Sequence, residues 1–177
     1  MPLVGRRQCH PVGFARSAQR QGVDQQQSAG QGVAVRNVTA GGALSVDAGA
    51  GVSFLALTSF GNLTINGGGA ISGSSLTANG SAGTPASIGI ATPSSVSIGS
   101  VTAANSLSIS SLLLSADLLQ ATAGNLTTST ASTTNVTSFS AGGSASLTAA
   151  QVNLGGTGSG TGVAGQDITI AATAGNL

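Results

Sequence analysis

Residues 60–80 read FGNLTINGGGAISGSSLTANG, and this stretch decides the fold. In Leu63-Thr64-Ile65, two aliphatic side chains flank a hydroxyl side chain, and glycine and asparagine lie on both sides. Successive side chains point to opposite faces of a strand, so the aliphatic residues share one face and the threonine lies on the other. Glycine and asparagine tolerate the positive φ angles and local hydrogen bonds of tight bends. The stretch therefore predicts short strands separated by corners.

The same short pattern recurs along the chain. Clear copies begin at Leu44, Leu63, Ile88, Val96, Leu107 and Ile168, and weaker copies begin at Leu76, Leu126, Val136 and Leu147. Their spacings cluster near ten or twenty residues, and Val52–Leu57, Leu112–Leu119 and Val152–Leu154 fill the wider gaps. The five letters of Thr122–Leu126 recur at Thr173–Leu177. The chain therefore contains an irregular repeat of about 20 residues.

A repeat of this length predicts a parallel β-helix over residues 35–177. Each coil of a β-solenoid buries its aliphatic face only by stacking on its neighbours. A propeller blade needs roughly 40 residues, and the scarcity of charged, helix-favouring residues argues against solenoids that contain helices. At about 20 residues a coil, we expect roughly seven coils stacked about 4.8 Å apart. Leu, Ile, Val and Ala should point inward, and Ser, Thr and Asn outward.

The composition indicates an ordered chain with a narrow core. Only 5% of the 177 residues are charged and 2% are aromatic, while 28 are glycine and 40% are hydrophobic. A disordered linker of glycine and serine would carry far fewer aliphatic residues. The run Ser111–Leu119 is interrupted by Ser115 and Asp117, and no run reaches the roughly 18 apolar residues that span a bilayer. We therefore expect no membrane-spanning segment.

Residues 1–34 differ from the rest of the chain. They are rich in Arg and Gln and show no sustained period, so we expect a flexible leader. No continuous apolar segment follows the arginines, and the leader therefore does not fit a secretory signal peptide. At the other end, Gly175–Leu177 falls in the middle of a repeat. The sequence thus predicts a solenoid that is truncated at its C-terminus.

The sequence offers no catalytic, metal or cofactor site. Polysaccharide-degrading β-helices need clustered acidic residues, usually with Lys or Arg, whereas Asp47, Asp117 and Asp167 lie far apart in the chain. His10 and Cys9 lie in the leader, which argues against a Ser-His-Asp triad, an intrachain disulfide and a multi-cysteine metal site. The repeat region also lacks a basic patch for nucleic acid. We expect a protein that is not an enzyme and binds no cofactor.

Three further patterns are weak indicators of function. Residues 160–165, GTGVAG, match the dinucleotide pattern GxGxxG, but a predicted strand follows where that fold requires a helix. The threonine-rich stretch Leu126–Thr137 suggests ice binding, although strand spacings of about 8 to 13 residues favour an ordinary solvated face. Asn-x-Ser/Thr sequons occur at Asn37, Asn62, Asn79, Asn125 and Asn135. Corner chemistry explains most of these sequons, and glycosylation stays an alternative that requires surface exposure.

Three stretches carry a resemblance to a known family. AGGALSVDAGAG (40–51), FGNLTINGGGAISGSSLTANG (60–80) and TAGNLTTST (122–130) resemble the haemagglutinin-type repeats of filamentous haemagglutinin and related two-partner-secretion exoproteins. The resemblance covers residues 36–177. It implies a right-handed β-helical stalk on a secreted adhesin at the bacterial cell surface. The chain departs from that pattern because it lacks a signal peptide, a secretion domain and a C-terminal effector.

The resemblance implies a structural stalk that mediates attachment or presents a tip domain. Its partners, reached through the full-length protein, would be glycans or proteins on host cells or neighbouring cells, and end-to-end self-association is a further expectation. Three alternatives stay open: a polysaccharide-acting β-helix enzyme, an ice-binding β-solenoid, and a gene fragment without an independent function.

Overall fold

The computed structural model describes residues 24–28, 30–81, 83–155 and 160–174, and these residues form strands and turns without a helix. In chain order the strands are β1 (Asp24–Ser28), β2 (Val33–Ala34), β3 (Asn37–Ala40), β4 (Leu44–Ala48), β5 (Val52–Ser59), β6 (Leu63–Gly67), β7 (Ile71–Ala78), β8 (Ile88–Ala91), β9 (Ser95–Ala103), β10 (Leu107–Ser111), β11 (Leu113–Ala121), β12 (Leu126–Thr130), β13 (Thr133–Ala141), β14 (Ala145–Ala149), β15 (Gln151–Leu154), β16 (Thr161–Ala164) and β17 (Ile168–Ala172).

Two parallel sheets run along the described part of the chain. Sheet A has the order β1-β4-β6-β8-β10-β12-β14-β17, and sheet B has the order β15-β13-β11-β9-β7-β5-β2, with β3 beside β5 and β16 beside β13. The chain alternates between the two sheets, so neighbouring strands of one sheet belong to successive coils. The result is a β-solenoid of about seven turns. This confirms the predicted parallel β-helix and the predicted number of coils.

A spacing of 19 residues recurs between neighbouring strands of sheet A. In sheet A, Leu107 pairs with Leu126 and Leu126 pairs with Ala145, each 19 positions along the chain. Ile88 instead lies 25 positions after its partner Leu63, because residues 79–87 form an enlarged corner with six additional residues. The register resumes after this insertion without a shift in which residues face inward. The irregular spacing along the sequence is therefore compatible with regular stacking.

Each complete strand of sheet B bends once, which gives the coil three sides. Buried residues in β13 are two apart on either side of the bend, but Val136 and Phe139 are three apart across it. The pairing of β11 with both neighbours skips Asp117 at the same level. In the last described coil, β15 pairs with the first half of β13 and β16 with the second half. Sheet A forms one side, and the two halves of sheet B form the others.

The bend corrects one detail of the sequence-based prediction. Leu76 and Val136, which were expected to begin separate copies of the repeat, lie within the longer strands β7 and β13. Each of these strands contributes two inward runs because the chain turns between them. The roughly ten-residue spacings in the sequence therefore arise partly from the bend and partly from the alternation of the two sheets.

Strand pairing also begins before the predicted boundary at residue 35. The backbone of β1 pairs in parallel with β4, from Asp24 opposite Leu44 to Ser28 opposite Ala48. Strand β2 pairs with β5 in the same way. The rest of the predicted leader, residues 1–23 and residue 29, and the predicted truncation at Gly175–Leu177 lie outside the described residues.

The interior consists of side-chain ladders that run along the solenoid axis. One ladder of sheet A contains Leu44, Leu63, Ile88, Leu107, Leu126 and Ala145. One ladder of sheet B contains Leu57, Leu76, Val101, Leu119 and Phe139. All of these side chains are buried. The inward aliphatic ladders were predicted from the alternation, and the structure confirms them.

The two buried phenylalanines are accommodated by glycines in the following coil. Phe54 pairs with Gly73 in sheet B, and Phe139 pairs with Gly162. A Cβ atom built at either glycine would collide with the ring of its phenylalanine. Each ring therefore extends over the adjacent coil and fills the space that a side chain at the glycine position would occupy.

This complementarity predicts that Gly73→Val destabilises the solenoid by about 1–3 kcal/mol, the usual cost of overpacking a dense core. Gly89→Val is the matched control, because a Cβ at Gly89 meets no atom within 4 Å. Urea unfolding measures both variants. In the double variant Phe54→Ala/Gly73→Val, the penalty of the valine should become smaller, since the ring is gone. A valine penalty that is unchanged without Phe54 would contradict the packing explanation.

Hydroxyl side chains also enter the core, against the expectation that they point outward. Ser111, Thr128, Thr130 and Thr134 are all buried. Thr130 and Thr134 hydrogen-bond to each other through their Oγ1 atoms. Thr128 occupies a ladder position between Ile109 and Leu147, and its Oγ1 has no hydrogen-bond partner among the described residues.

Thr128→Val should therefore raise the free energy of unfolding by about 1–2 kcal/mol, because it replaces an unpartnered buried hydroxyl with a methyl group of similar size. Thr127→Val, one residue away on the exposed face, should change stability little. Equilibrium denaturation in urea compares the two. Loss of stability in the Thr128→Val variant would contradict this prediction, because it would show that the Thr128 hydroxyl forms a hydrogen bond in solution.

Candidate functional site

The outer surface of the solenoid is nearly free of charge. Between residues 30 and 174, the described charged residues are Arg36, Asp47, Asp117 and Asp167. The other outward positions are mostly Ser, Thr, Asn, Gln, Gly and Ala. Such a surface can donate and accept hydrogen bonds, but it offers few groups that transfer protons near neutral pH.

The three aspartates named in the sequence lie in different parts of the fold. Asp47 is in β4 of sheet A, Asp117 lies at the bend of β11 in sheet B, and Asp167 precedes β17. Within the described part of the chain, no group of three or more His, Cys, Asp or Glu residues could hold a metal ion. His10 and Cys9 lie outside the described residues. The structure therefore does not bring these aspartates together.

Asp47 takes part in a local hydrogen-bond network on the face of sheet A. Its Oδ2 accepts a hydrogen bond from Ser45 Oγ at 3.0 Å, and its Oδ1 accepts one from Asn66 Nδ2 at 2.7 Å. Asn66 pairs with Asp47 across adjacent coils. The network connects two coils, and these contacts assign Asp47 a structural role.

The GxGxxG stretch is part of the solenoid wall. Residues 161–164 form β16, which pairs with the second half of β13, and the next described element is the strand β17. Gly162 leaves room for the Phe139 ring, and a Cβ at Gly165 would collide with the carbonyl oxygen of Gly142. A phosphate-binding loop requires a helix N-terminus behind the glycines. These glycines instead permit close packing between coils.

One corner of the coil carries a continuous ladder of polar side chains, which we call the corner ladder. It consists of Asn62, Ser87, Ser106, Asn125 and Ser144, the residues that precede the first inward residue of β6, β8, β10, β12 and β14. Asn62 Oδ1 accepts a hydrogen bond from Ser87 N at 2.9 Å, and Asn125 Oδ1 accepts one from Ser144 N at 2.9 Å. The two serines between them accept backbone N–H groups from the next coil at 3.4 and 3.2 Å.

The corner ladder was not predicted from the sequence, although a signal was present. Asn or Ser stands immediately before Leu63, Ile88, Leu107, Leu126 and Ala145. A short polar side chain at that position can accept the backbone N–H that a corner leaves without a strand partner. The ladder therefore serves the fold, and it places a line of polar groups along one edge of the solenoid.

All five sequon asparagines are exposed, so they meet the condition set for glycosylation. Asn62 and Asn125 lie in the corner ladder, where Oδ1 is the hydrogen-bonded atom. Asn135 Oδ1 accepts a hydrogen bond from Asn153 Nδ2 at 2.8 Å. An N-linked sugar is attached through Nδ2, and the accepting oxygens of these residues would stay in place. Glycosylation remains a prediction.

Sheet A presents a regular array of hydroxyl groups. Two outward columns extend over three successive coils: Ser108, Thr127 and Ser146, and beside them Ser110, Ser129 and Thr148. In the preceding coil, Gly89 and Ala91 occupy the same two positions and interrupt the array. Sheet B carries a third column of Thr58, Thr77 and Thr102. The strand spacing varies along the sequence, but the additional residues lie at corners. The columns of hydroxyl groups within the strands therefore stay aligned.

A shallow depression of about 340 Å³ lies near the first coils of sheet B. Its lining, from Gly32 to Ser72, contains only Gly, Ala, Val and Ser residues. None of these side chains can act as an acid, a base or a metal ligand of the usual kind. The depression therefore provides shape without chemical groups for catalysis.

Comparison with known proteins adds no relative to this picture. A scan against protein-family models found no match, and searches of curated proteins and of solved structures found none either. The described residues form strands and turns, and they include no helical segment that could span a bilayer. The fold and the chemistry of the surface therefore carry the functional proposal.

The corner ladder yields a specific prediction. Asn125→Ala should cost about 1 kcal/mol of stability, because Ser144 N–H loses its acceptor. Amide hydrogen exchange at Ser144 should become faster in this variant. Asn125→Asp is the matched control, since it keeps a side-chain oxygen at the same place and should leave the Ser144 amide protected. Equal protection of that amide in the alanine variant would show that the ladder bond is not formed.

Proposed function

We propose that this chain is a structural stalk segment of a secreted bacterial surface adhesin of the filamentous haemagglutinin type. The observation that carries the proposal is the continuous pairing of about seven coils around one apolar interior, beneath an outer surface with few charges and no acidic cluster among the described residues. The sequence resemblance in residues 36–177 supports the same function. The fold supplies length and stiffness, and the partner-binding groups would be presented by the complete adhesin.

The backbone hydrogen bonds explain why such a rod is stiff. They join successive coils, so they run along the solenoid axis: Leu107 N donates to Asn125 O and Leu126 N donates to Ser144 O, at 2.9 and 3.0 Å. Similar bonds occur on all three sides of the coil. At about 4.8 Å for each coil, length is set by the number of repeats.

The proposed partners are glycans or proteins on host cells or neighbouring cells. A surface of hydroxyl and amide groups can approach such partners without charge repulsion, and specificity would come from a tip domain or from loops. Association of rods end to end belongs to the same proposal, because each sheet can continue by pairing with another coil. Light scattering at increasing protein concentration tests this association, which a constant monomeric mass would exclude.

Ice binding is a second candidate, favoured by the aligned hydroxyl columns of sheet A and by the threonine column of sheet B. The columns repeat with the coil spacing, as an ice-binding array requires, although Gly89 and Ala91 limit their length. A thermal hysteresis measurement separates the two functions. In a solution of a stalk protein, the freezing point and the melting point of ice should be equal. An ice-binding protein should lower the freezing point below the melting point.

The stalk function can be tested by display on a non-adherent bacterium. The full chain is placed between an outer-membrane anchor and a domain that binds a defined ligand on target cells. We expect better binding than with the anchor fused directly to that domain, because the rod raises the domain above the surface polysaccharide. A disordered glycine-serine linker of equal residue number is the control. Equal binding with and without the chain would contradict the proposal, as would release of sugars from polysaccharides by the purified chain.

The repeat also predicts that one coil can be removed. Deletion of Leu107–Asn125 takes out one 19-residue coil and joins Ser106 to Leu126, which restores the register between β8 and β12. The variant should keep its β-sheet circular dichroism, and its urea m-value should fall by about one seventh, in proportion to the lost buried surface.

The matched control deletes only Leu107–Ala116, which removes part of a coil and takes the next strands out of register. This shorter deletion should unfold the neighbouring coils and lower the midpoint of urea unfolding much more than the longer one. If the two deletions are equally damaging, the coils do not act as exchangeable units.

A further inference from the structure

The chain contains two Asn-Gly pairs, Asn66-Gly67 and Asn79-Gly80, and the structure places them in contrasting settings. In an Asn-Gly pair, the main-chain nitrogen of glycine can attack the asparagine side chain, because glycine has no Cβ to obstruct the approach. The attack requires freedom of the backbone around both residues. The fold holds one pair within a strand and places the other in a corner, where Asn79 N keeps one hydrogen bond to Ser59 O at 2.9 Å.

Asn66 and Gly67 are fixed within a strand. Both belong to β6, and they pair in register with Asp47 and Ala48 of β4. The Asn66 side chain donates from Nδ2 to Asp47 Oδ1 at 2.7 Å, which fixes its amide against the preceding coil. Gly67 is buried. Formation of a ring between these two residues would break the strand pairing and this hydrogen bond.

Asn79 and Gly80 lie in the enlarged corner after β7, which ends at Ala78. The Asn79 side chain is exposed, and Gly80 has a φ of +72° outside any strand. The loop beyond Gly80 closes through a bridge in which Ser81 N donates to Thr84 O at 3.1 Å and Thr84 N donates to Ser81 O at 2.9 Å. This corner contains the six additional residues of the coil, so its movement leaves the stacked register intact.

We propose that Asn79 is a site of spontaneous deamidation in the folded protein, whereas Asn66 is protected. The Gly80 nitrogen loses its proton and forms a bond to Cγ of Asn79. The bond from Cγ to Nδ2 breaks, and Nδ2 takes up a proton and leaves as ammonia. Water then opens the resulting five-membered imide at either carbonyl carbon, which yields aspartate or isoaspartate at position 79.

The modification has two consequences for the corner. It adds a negative charge to a surface with few charges, and it removes the amide that glycosylation of the Asn79 sequon requires. Isoaspartate also adds one carbon to the main chain beside Gly80. The space there is limited, because a Cβ at Gly80 would lie 2.7 Å from Ala86 N and Thr84 O. The corner should loosen, while the ladders on either side stay stacked.

Peptide mapping of the full chain after incubation at 37 °C and mildly alkaline pH tests the proposal. A protease that cleaves before aspartate releases Asp47–Ala116, which contains both asparagines, and new aspartate at position 79 creates an additional cleavage site. Electron-transfer fragmentation distinguishes aspartate from isoaspartate. We expect conversion at Asn79 at least tenfold faster than at Asn66. In urea above the unfolding transition the two rates should become similar, because both pairs then have the same flexible backbone.

The variant Asn79→Gln is the control, since a glutamine at that position would have to form a larger ring and should remain unmodified while Asn66 behaves as before. Equal rates at the two asparagines in the folded protein would overturn the proposal, as would faster conversion of Asn66. Conversion that occurs only after unfolding would also overturn it, because the native corner would then be as protected as the strand.

Discussion

The structure depends on the direct stacking of each coil on the next. Because the interior is narrow, an inward side chain packs mainly on the residues one coil before and one coil after it, as Leu126 does between Leu107 and Ala145. Size must therefore be balanced along the axis, between positions that are one coil apart: 19 residues for Phe54 and Gly73, and 23 for Phe139 and Gly162. The phenylalanines show this constraint: Phe54 and Phe139 fit only because Gly73 and Gly162 leave space in the following coil.

The same constraint decides where the sequence can vary in length. An insertion of one residue within a strand would move the following inward residues of that strand to the outer face, since the side chains alternate with a period of two. An insertion at a corner only enlarges a loop. Residues 79–87 illustrate this, because Ile88 pairs with Leu63 in the expected orientation despite six additional residues. The exposed Asn-Gly pair, Asn79-Gly80, lies in this same corner.

The sequence predicted the features that follow from the alternation of aliphatic and polar residues. It missed the features that depend on how the strands bend and pack in space. Coil length, parallel stacking and the aliphatic ladders follow from patterns such as Leu63-Thr64-Ile65. The bend in sheet B was missed because the stretch across Val136 and Phe139 gives no proline or glycine signal. Thr128 was expected on the outside, yet its methyl group lets it occupy a place between Ile109 and Leu147. Short-range sequence patterns cannot distinguish these cases, since threonine and valine have nearly the same shape.

The sequence indicated where the acidic residues lie along the chain, but it gave less information about how the surface groups are arranged. Separate positions for Asp47, Asp117 and Asp167 follow from their wide spacing, whereas the corner ladder emerges only when Asn62 and Asn125 are placed over successive coils. Both observations have the same physical basis. In each coil, the inward side chains pack in the core and the corner residues hydrogen-bond to the backbone. The outward side chains of the three sides are therefore the ones that can contact other molecules. Hydroxyl and amide groups there keep the rod hydrated without charge, and these outward groups are the ones through which the proposed stalk would contact its surroundings.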